Sequence, residues 1–236
     1  MSVGELLTER TESTGRPVLI DSSEPLSMPL VGRIVEICDE LEDTGGPSFA
    51  ALHIEGTAAA GARSWPGAVD IGLVNKWEGA LRRLERSPAG VIAVVSGECG
   101  GLALDVLLAA DHRIATADVR LSPAADSGQL WPGMAIHRLV QQLGVARARR
   151  LVLFGTDVAA VDGAELGLFD QIVKDRAGIS DAVQSAADLF TGLVGSELAI
   201  RRRLLLDAAT TGFEESLGAH LAACDRMLRN QHADRA

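Results

Sequence analysis

Two periodicities alternate along most of this 236-residue chain. Runs dense in aliphatic and β-branched residues at Pro17–Ile20, Ser48–Ile54 and Val91–Val95 carry little polar alternation, as strands covered on both faces do. Between them, apolar residues fall at helical spacing. Leu30, Ile34, Ile37 and Leu41 share one face of a helix predicted over Met28 to Leu41, with Ser27 as its N-cap and Gly45-Gly46-Pro47 as its stop. Leu73, Trp77, Ala80, Leu81 and Leu84 line a second helix, whose Arg82, Arg83 and Arg86 fall on a solvated face. Short strands are predicted at His112–Ala115, Arg120–Ser122 and Gln171–Val173, and helices at Ala135–Leu143, Ala146–Phe154 and Asp162–Leu168. From Ile179 onward the periodicity is only helical: Ile179–Leu193, Ser196–Ala209 and Glu214–Gln231.

Strands alternating with helices up to Val173, followed by helices alone, imply an α/β fold with a parallel sheet and a helical C-terminal extension. The expected organisation is a flexible tail over 1–15, a core over 16–178, and an extension over 179–236. That extension either packs on its own core or serves assembly.

One stretch combines these elements with chemistry. VIAVVSGECGGLALDVLLAAD, Val91 to Asp111, reads as a buried strand, a glycine turn (Gly97, Gly100, Gly101) and a helix starting near Leu102. Glycines let backbone approach a ligand closely, and a helix N-terminus presents unpaired N–H groups at its positive end. Asp105 lies one turn into the helix. Such a turn can stabilise a developing oxyanion; it can equally be an ordinary strand-to-helix connection. Two loops, Gly56–Ala68 with Arg63, Ser64, Trp65 and Pro66, and Pro123–Gly133, are long enough to carry function.

Composition narrows the classes. A net charge of −10 argues against nucleic acid or an anionic membrane as the main partner. No run approaches the roughly 18 apolar residues of a membrane span, and the first 15 residues lack the apolar core of a signal peptide. Three scattered cysteines (Cys38, Cys99, Cys224) suit a reducing cytoplasm, and five dispersed histidines form no metal motif. Tyrosine is absent, which removes one common acid/base group.

In order and spacing, several segments resemble the crotonase, or enoyl-CoA hydratase, superfamily. VIAVVSGECGGLALDVLLAADHRIATADVRL is similar to its strand, glycine turn, central helix and following strand. WPGMAIHRLVQQLGVARARRLVLFG is similar to its IPGxGGTQRL segment, Glu165 to Val173 to its AxxxGLVxxVV ending, and Ala68-Val69-Asp70 to its AGAD turn. The likeness covers Pro17 to Val173.

The resemblance implies a crotonase-like ββα spiral core that holds an acyl-CoA thioester, assembled as a trimer or hexamer. It implies no cofactor beyond the coenzyme A of the substrate. By position, the backbone N–H groups of Val69 and Leu102 would form the oxyanion hole. Ala68, Gly100, Gly101 and Trp131 would line the substrate. Asp105 takes the place of the first family glutamate, shortened by one methylene. The second falls on Ala125, with Pro132-Gly133 fixing the register, so Asp126 or Glu98 would have to supply the other carboxylate. Asp70 matches a structural position, and His137 and Cys99 are expected to pack. WPGAVDIGLVNKWEGALRRLE, SGECGGLALDVLLAADHRIAT and the run Trp131 to Ala135 are more narrowly similar to the hydratase-like proteins of dihydroxyphenylglycine biosynthesis. This likeness implies a lyase acting on a polyketide-derived CoA intermediate towards 3,5-dihydroxyphenylacetyl-CoA, alongside a type III polyketide synthase. The alternative it implies is an accessory protein that binds and assists that synthase.

Overall fold

The computed structural model describes residues 17–43, 48–56, 65–123, 130–191, 193 and 196–233. In chain order the strands are β1 (Val18–Asp21), β2 (Phe49–Gly56), β3 (Gly90–Cys99), β4 (His112–Thr116), β5 (Arg120–Leu121), β6 (Val158–Ala159) and β7 (Gln171–Val173). Five of them pair in parallel in the order β1-β2-β3-β4-β7. The helices are α1 (Met28–Glu42), α2 (Ile71–Leu84), α3 (Gly101–Ala109), α4 (Met134–Leu143), α5 (Val145–Phe154), α6 (Ala160–Leu166), α7 (Ile179–Leu189), α8 (Ser196–Ala208) and α9 (Phe213–Ala233). This is the expected α/β architecture with a parallel sheet.

Parallel strands need crossovers, and α1, α2 and α3 supply them between β1 and β4. Their apolar stripes meet one face of the sheet: Leu30, Ile34, Ile37 and Leu41 of α1 and Trp77, Leu81 and Leu84 of α2 are buried with Ile20, Leu52, Ile54, Val91, Ala93 and Val95. Ser27 caps α1 as predicted, its Oγ accepting the Leu30 N–H at 3.3 Å. The other face, built from Phe49, Ala51, Ile92, Val94 and Ile114, is covered by Ile179, Ala182 and Ala186 of α7 together with Phe190 and Leu198. Burial on both faces explains why β2 and β3 read as continuous apolar runs.

Strand β3 runs four residues beyond its predicted end. At Gly97, with φ +74°, it turns away from β2 and pairs instead with β5, Glu98 opposite Arg120 and Cys99 opposite Leu121. Strand β6 has no counterpart in the sequence reading; two residues cannot show a period. Helix α6 starts two residues earlier than predicted and stops at Leu166, because Gly167 takes a left-handed conformation, φ +83°. Helix α7 likewise ends at Leu189, short of the predicted Leu193.

The first helix after α7 is clasped to this same chain. The buried Arg202 of α8 donates from Nε to Asp111 Oδ1 at 2.8 Å and from its terminal nitrogens to Asp111 Oδ2, to Ser87 O and, at 3.1 Å, to Ala89 O. Helix α9 lies against α8 and leaves Phe213, Leu217, Leu221 and Leu228 exposed.

Candidate active site

The end of β3 and the start of α3 form a turn held by backbone contacts. A Cβ on Gly56 would lie 1.8 Å from the Glu98 carbonyl oxygen, so the end of β2 can press against the turn only as glycine. Gly101, the first residue of α3, meets the Trp65 ring; a Cβ there would sit 2.5 Å from Trp65 Cδ1. The N–H groups of the turn can be accounted for one by one. Gly100 donates to Ser22 Oγ at 2.7 Å and Ala103 to Gly100 O at 3.2 Å. The Gly101 and Leu102 N–H groups precede the first i→i−4 bond of the helix and meet no acceptor among the described residues. The Val69 N–H also meets none among them. It precedes Asp70, which caps α2 by accepting the Leu73 N–H at 2.8 Å, the structural role expected of it.

Every residue of α3 is buried, and Asp105 is its one ionisable group, 4% exposed. The indole Nε1 of Trp77 donates to Asp105 Oδ2 at 2.9 Å. Trp65 meets Trp77 edge to face, ring centres 5.5 Å apart at 67°, and also acts on the carboxyl. Beside them Arg138 of α4 bridges Glu78 at 2.8 Å and Glu85 at 2.6 Å, and Glu78 Oε1 accepts the Met134 N–H at the start of α4, 3.2 Å away. Burial is the dominant influence on Asp105 and opposes ionisation. The Trp77 hydrogen bond works the other way, the charge of Glu78 adds to burial, and Arg138 and Trp65 offset part of it. The balance pushes the carboxyl up to about 7. Burial disfavours the Arg138 charge, but Glu85 and Glu78 outweigh it and its pKa is raised. Thus a carboxyl pushed up to about 7 sits beside a fixed ionic network, one turn into a buried helix. A group titrating near the working pH is suited to moving a proton in either direction.

The residues predicted from sequence do not all gather here. Leu102, Gly100 and Gly101 are buried in the turn with Asp105 one helical turn on. Val69 and Trp131 are half-buried, and Ala68 is exposed. Glu98 is exposed on the part of β3 that pairs with β5 and makes no ion pair among the described residues, so it does not share the burial of Asp105. Asp126 and Ala125 lie outside the described residues, as do Arg63 and Ser64. Cys99 packs as expected, its thiol pushed by burial up to about 12, whereas His137 is exposed on α4 rather than packed. Sequence reasoning did not foresee Ser22, nor the Glu78–Arg138–Glu85 network. Trp77 was assigned only to an apolar stripe; the available signal was that a buried indole N–H requires an acceptor, and Asp105 is the one acid on an otherwise apolar helix.

The model of the family described as enoyl-CoA hydratase/isomerase matches residues 67–233. An enoyl-CoA-hydratase of Amycolatopsis orientalis is 43% identical over 212 residues, spanning 90% of this chain and 95% of that protein. A probable enoyl-CoA hydratase of Bacillus subtilis (strain 168) is 28% identical over 201 residues, 81% of this chain and 78% of that one. The crystal structure of an enoyl-CoA hydratase/isomerase from Cupriavidus metallidurans CH34 superposes with a TM-score of 0.78 at 16% identity, covering 93% of this chain and 86% of the other, a likeness of fold. The glycine turn, the buried acid of α3 and these matches lead to one conclusion: the chain belongs to the enoyl-CoA hydratase/isomerase family.

Proposed function

We propose that the protein acts on an acyl-CoA thioester as a hydro-lyase, removing water from a polyketide-derived intermediate on the way to 3,5-dihydroxyphenylacetyl-CoA. The thioester oxygen accepts from the N–H groups of Val69 and Leu102, so charge that develops there meets fixed donors and the positive end of α3. Loss of one such donor typically costs about 3 kcal/mol in a hydrolase. Asp105 holds or releases a proton beside the enolate, and Asp126 provides a second carboxylate. Expulsion of hydroxide as water then leads to an aromatic ring, which drives the step. The observation that supports this reading best is a Leu102 N–H with no acceptor among the described residues, three residues before a buried carboxyl pushed up to about 7.

A second reading has its own support. Asp105 is only 4% exposed and already bonded to Trp77, and alanine stands at the second acid position, residue 125. An accessory role, in which the protein binds a type III polyketide synthase or its product and steers cyclisation, requires no proton transfer by Asp105. Purified wild type and Asp105→Asn, each added to the synthase with malonyl-CoA, separate the two. Loss of aromatic product with Asp105→Asn supports the lyase. Equal stimulation by both proteins refutes the acid/base assignment and favours the accessory role. Hydration of crotonyl-CoA at ordinary hydratase rates would refute the polyketide substrate.

A further inference from the structure

We propose that Ser22 is a positioning residue for the thioester oxygen, fixing the glycine turn so that the Leu102 N–H is held in line with the ligand. The proposal rests on the thioester reading above.

Residues 97–101 include three glycines, whose own backbone has no side chain to restrain it. Something else must fix them. Ser22 follows the end of β1, 78 residues from Gly100 in the chain, and only 2% of it is exposed. Its own N–H donates to Glu55 O at 2.9 Å, which ties its backbone to the end of β2. From that anchored place its hydroxyl accepts the Gly100 N–H at 2.7 Å, and the Cys99 thiol interacts with the same hydroxyl. On the opposite side of the turn, the Ser122 N–H holds the Cys99 carbonyl at 2.8 Å.

The N–H groups of residues 100 to 103 fall into two pairs. Gly100 is taken by Ser22, and Ala103 folds back onto Gly100 O. Those of Gly101 and Leu102 meet no acceptor among the described residues. Leu102 is the one that stands at the position the family resemblance gives to the donor. Without the Ser22 oxygen the Gly100 N–H is left buried with no acceptor, and the turn can relieve this by rotating, which moves the Leu102 N–H off its line. The hydroxyl touches no substrate. Its effect reaches the reaction through the orientation of a peptide group.

The test uses the full-length protein and crotonyl-CoA labelled with carbon-13 at the thioester carbonyl, whose stretching frequency falls when donors grip the oxygen. Wild type is expected to lower that frequency on binding. Ser22→Ala is expected to lose at least half of the shift and, wherever turnover is measurable, to lower kcat ten-fold or more with KM changed less than three-fold. Ser22→Thr, which keeps an oxygen in place, restores both. If Ser22→Ala does not fold, Ser22→Cys fills the same space with a poor acceptor and is expected to lose the shift as well. A full wild-type shift in the folded Ala or Cys variant overturns the role of Ser22 and leaves the thioester reading standing. A wild type that leaves the carbonyl frequency unchanged overturns the thioester reading, and the Ser22 role with it.

Discussion

Replacing Asp105 with Asn should stabilise the protein in mildly alkaline solution, although it removes the acid on which the proposed chemistry depends. Burial raises this carboxyl from 3.8 to about 7. In the unfolded chain it ionises near 3.8; in the folded protein it keeps its proton until about 7. Between those values the folded state binds more protons than the unfolded state, so this group's contribution to stability falls as pH rises, and it levels off above about 7. At roughly 1.4 kcal/mol per pH unit, the whole loss is about 4 kcal/mol. Asn keeps the oxygen that accepts from Trp77 and cannot ionise, so it escapes the loss. Urea denaturation of both proteins from pH 4 to 8.5 tests this. The stability of Asp105→Asn relative to wild type is expected to climb with pH by up to that amount and to flatten above 7. Taking the difference cancels the other carboxylates, including Glu42, whose hydrogen bond to Arg83 lowers its pKa and works in the opposite direction. A difference that is flat across the range, or a variant less stable than wild type at pH 8, would show that the carboxyl is ionised and stabilising in the fold, and would refute the reasoning.

Trp77→Phe removes the main hydrogen bond that favours the Asp105 anion. Any activity that depends on ionised Asp105 should therefore shift its pH profile upward, while stability drops by about 1–2 kcal/mol; pH–rate profiles and denaturant midpoints check both. Arg202→Met leaves Asp111 and two backbone carbonyls short of donors, and leaving such acceptors unpaired typically costs about 1–3 kcal/mol. Hydrogen exchange should then show α8 losing protection before the sheet does. Gly90→Ala puts a Cβ 2.7 Å from the Phe190 ring. Overpacking of this kind costs about 1–3 kcal/mol, and thermal denaturation should show much of it recovered in the double variant with Phe190→Leu.

What could be seen in the sequence depended on whether the interaction repeats. The α1 stripe recurs every three or four residues and β2 and β3 are apolar over most of their length, so both declared themselves. Asp105 stood out through its place after a glycine turn. Ser22 meets Gly100 across 78 residues, and Glu78 meets Arg138 across 60, through single side chains with no period. Arg202 reaches Asp111 across 91. Contacts of that kind exist only once the chain has folded. Glu98 illustrates the converse: its neighbours in sequence placed it on the turn, but the kink at Gly97 carried it to an exposed position.

That kink also governs how the site fails. The glycine turn continues the central strand of the sheet, paired with β2 and β4 on one side of Gly97 and with β5 beyond it. A site mounted on a peripheral loop can melt while the rest of the protein persists, but here the turn and the core strand are one covalent run, paired to neighbouring strands on both sides of the kink. They should open as a single cooperative unit, with the Gly100 amide exchanging only through global unfolding. Mild denaturant would then abolish ligand binding and secondary structure at the same midpoint, and selection for a more stable core would keep the turn in shape as well.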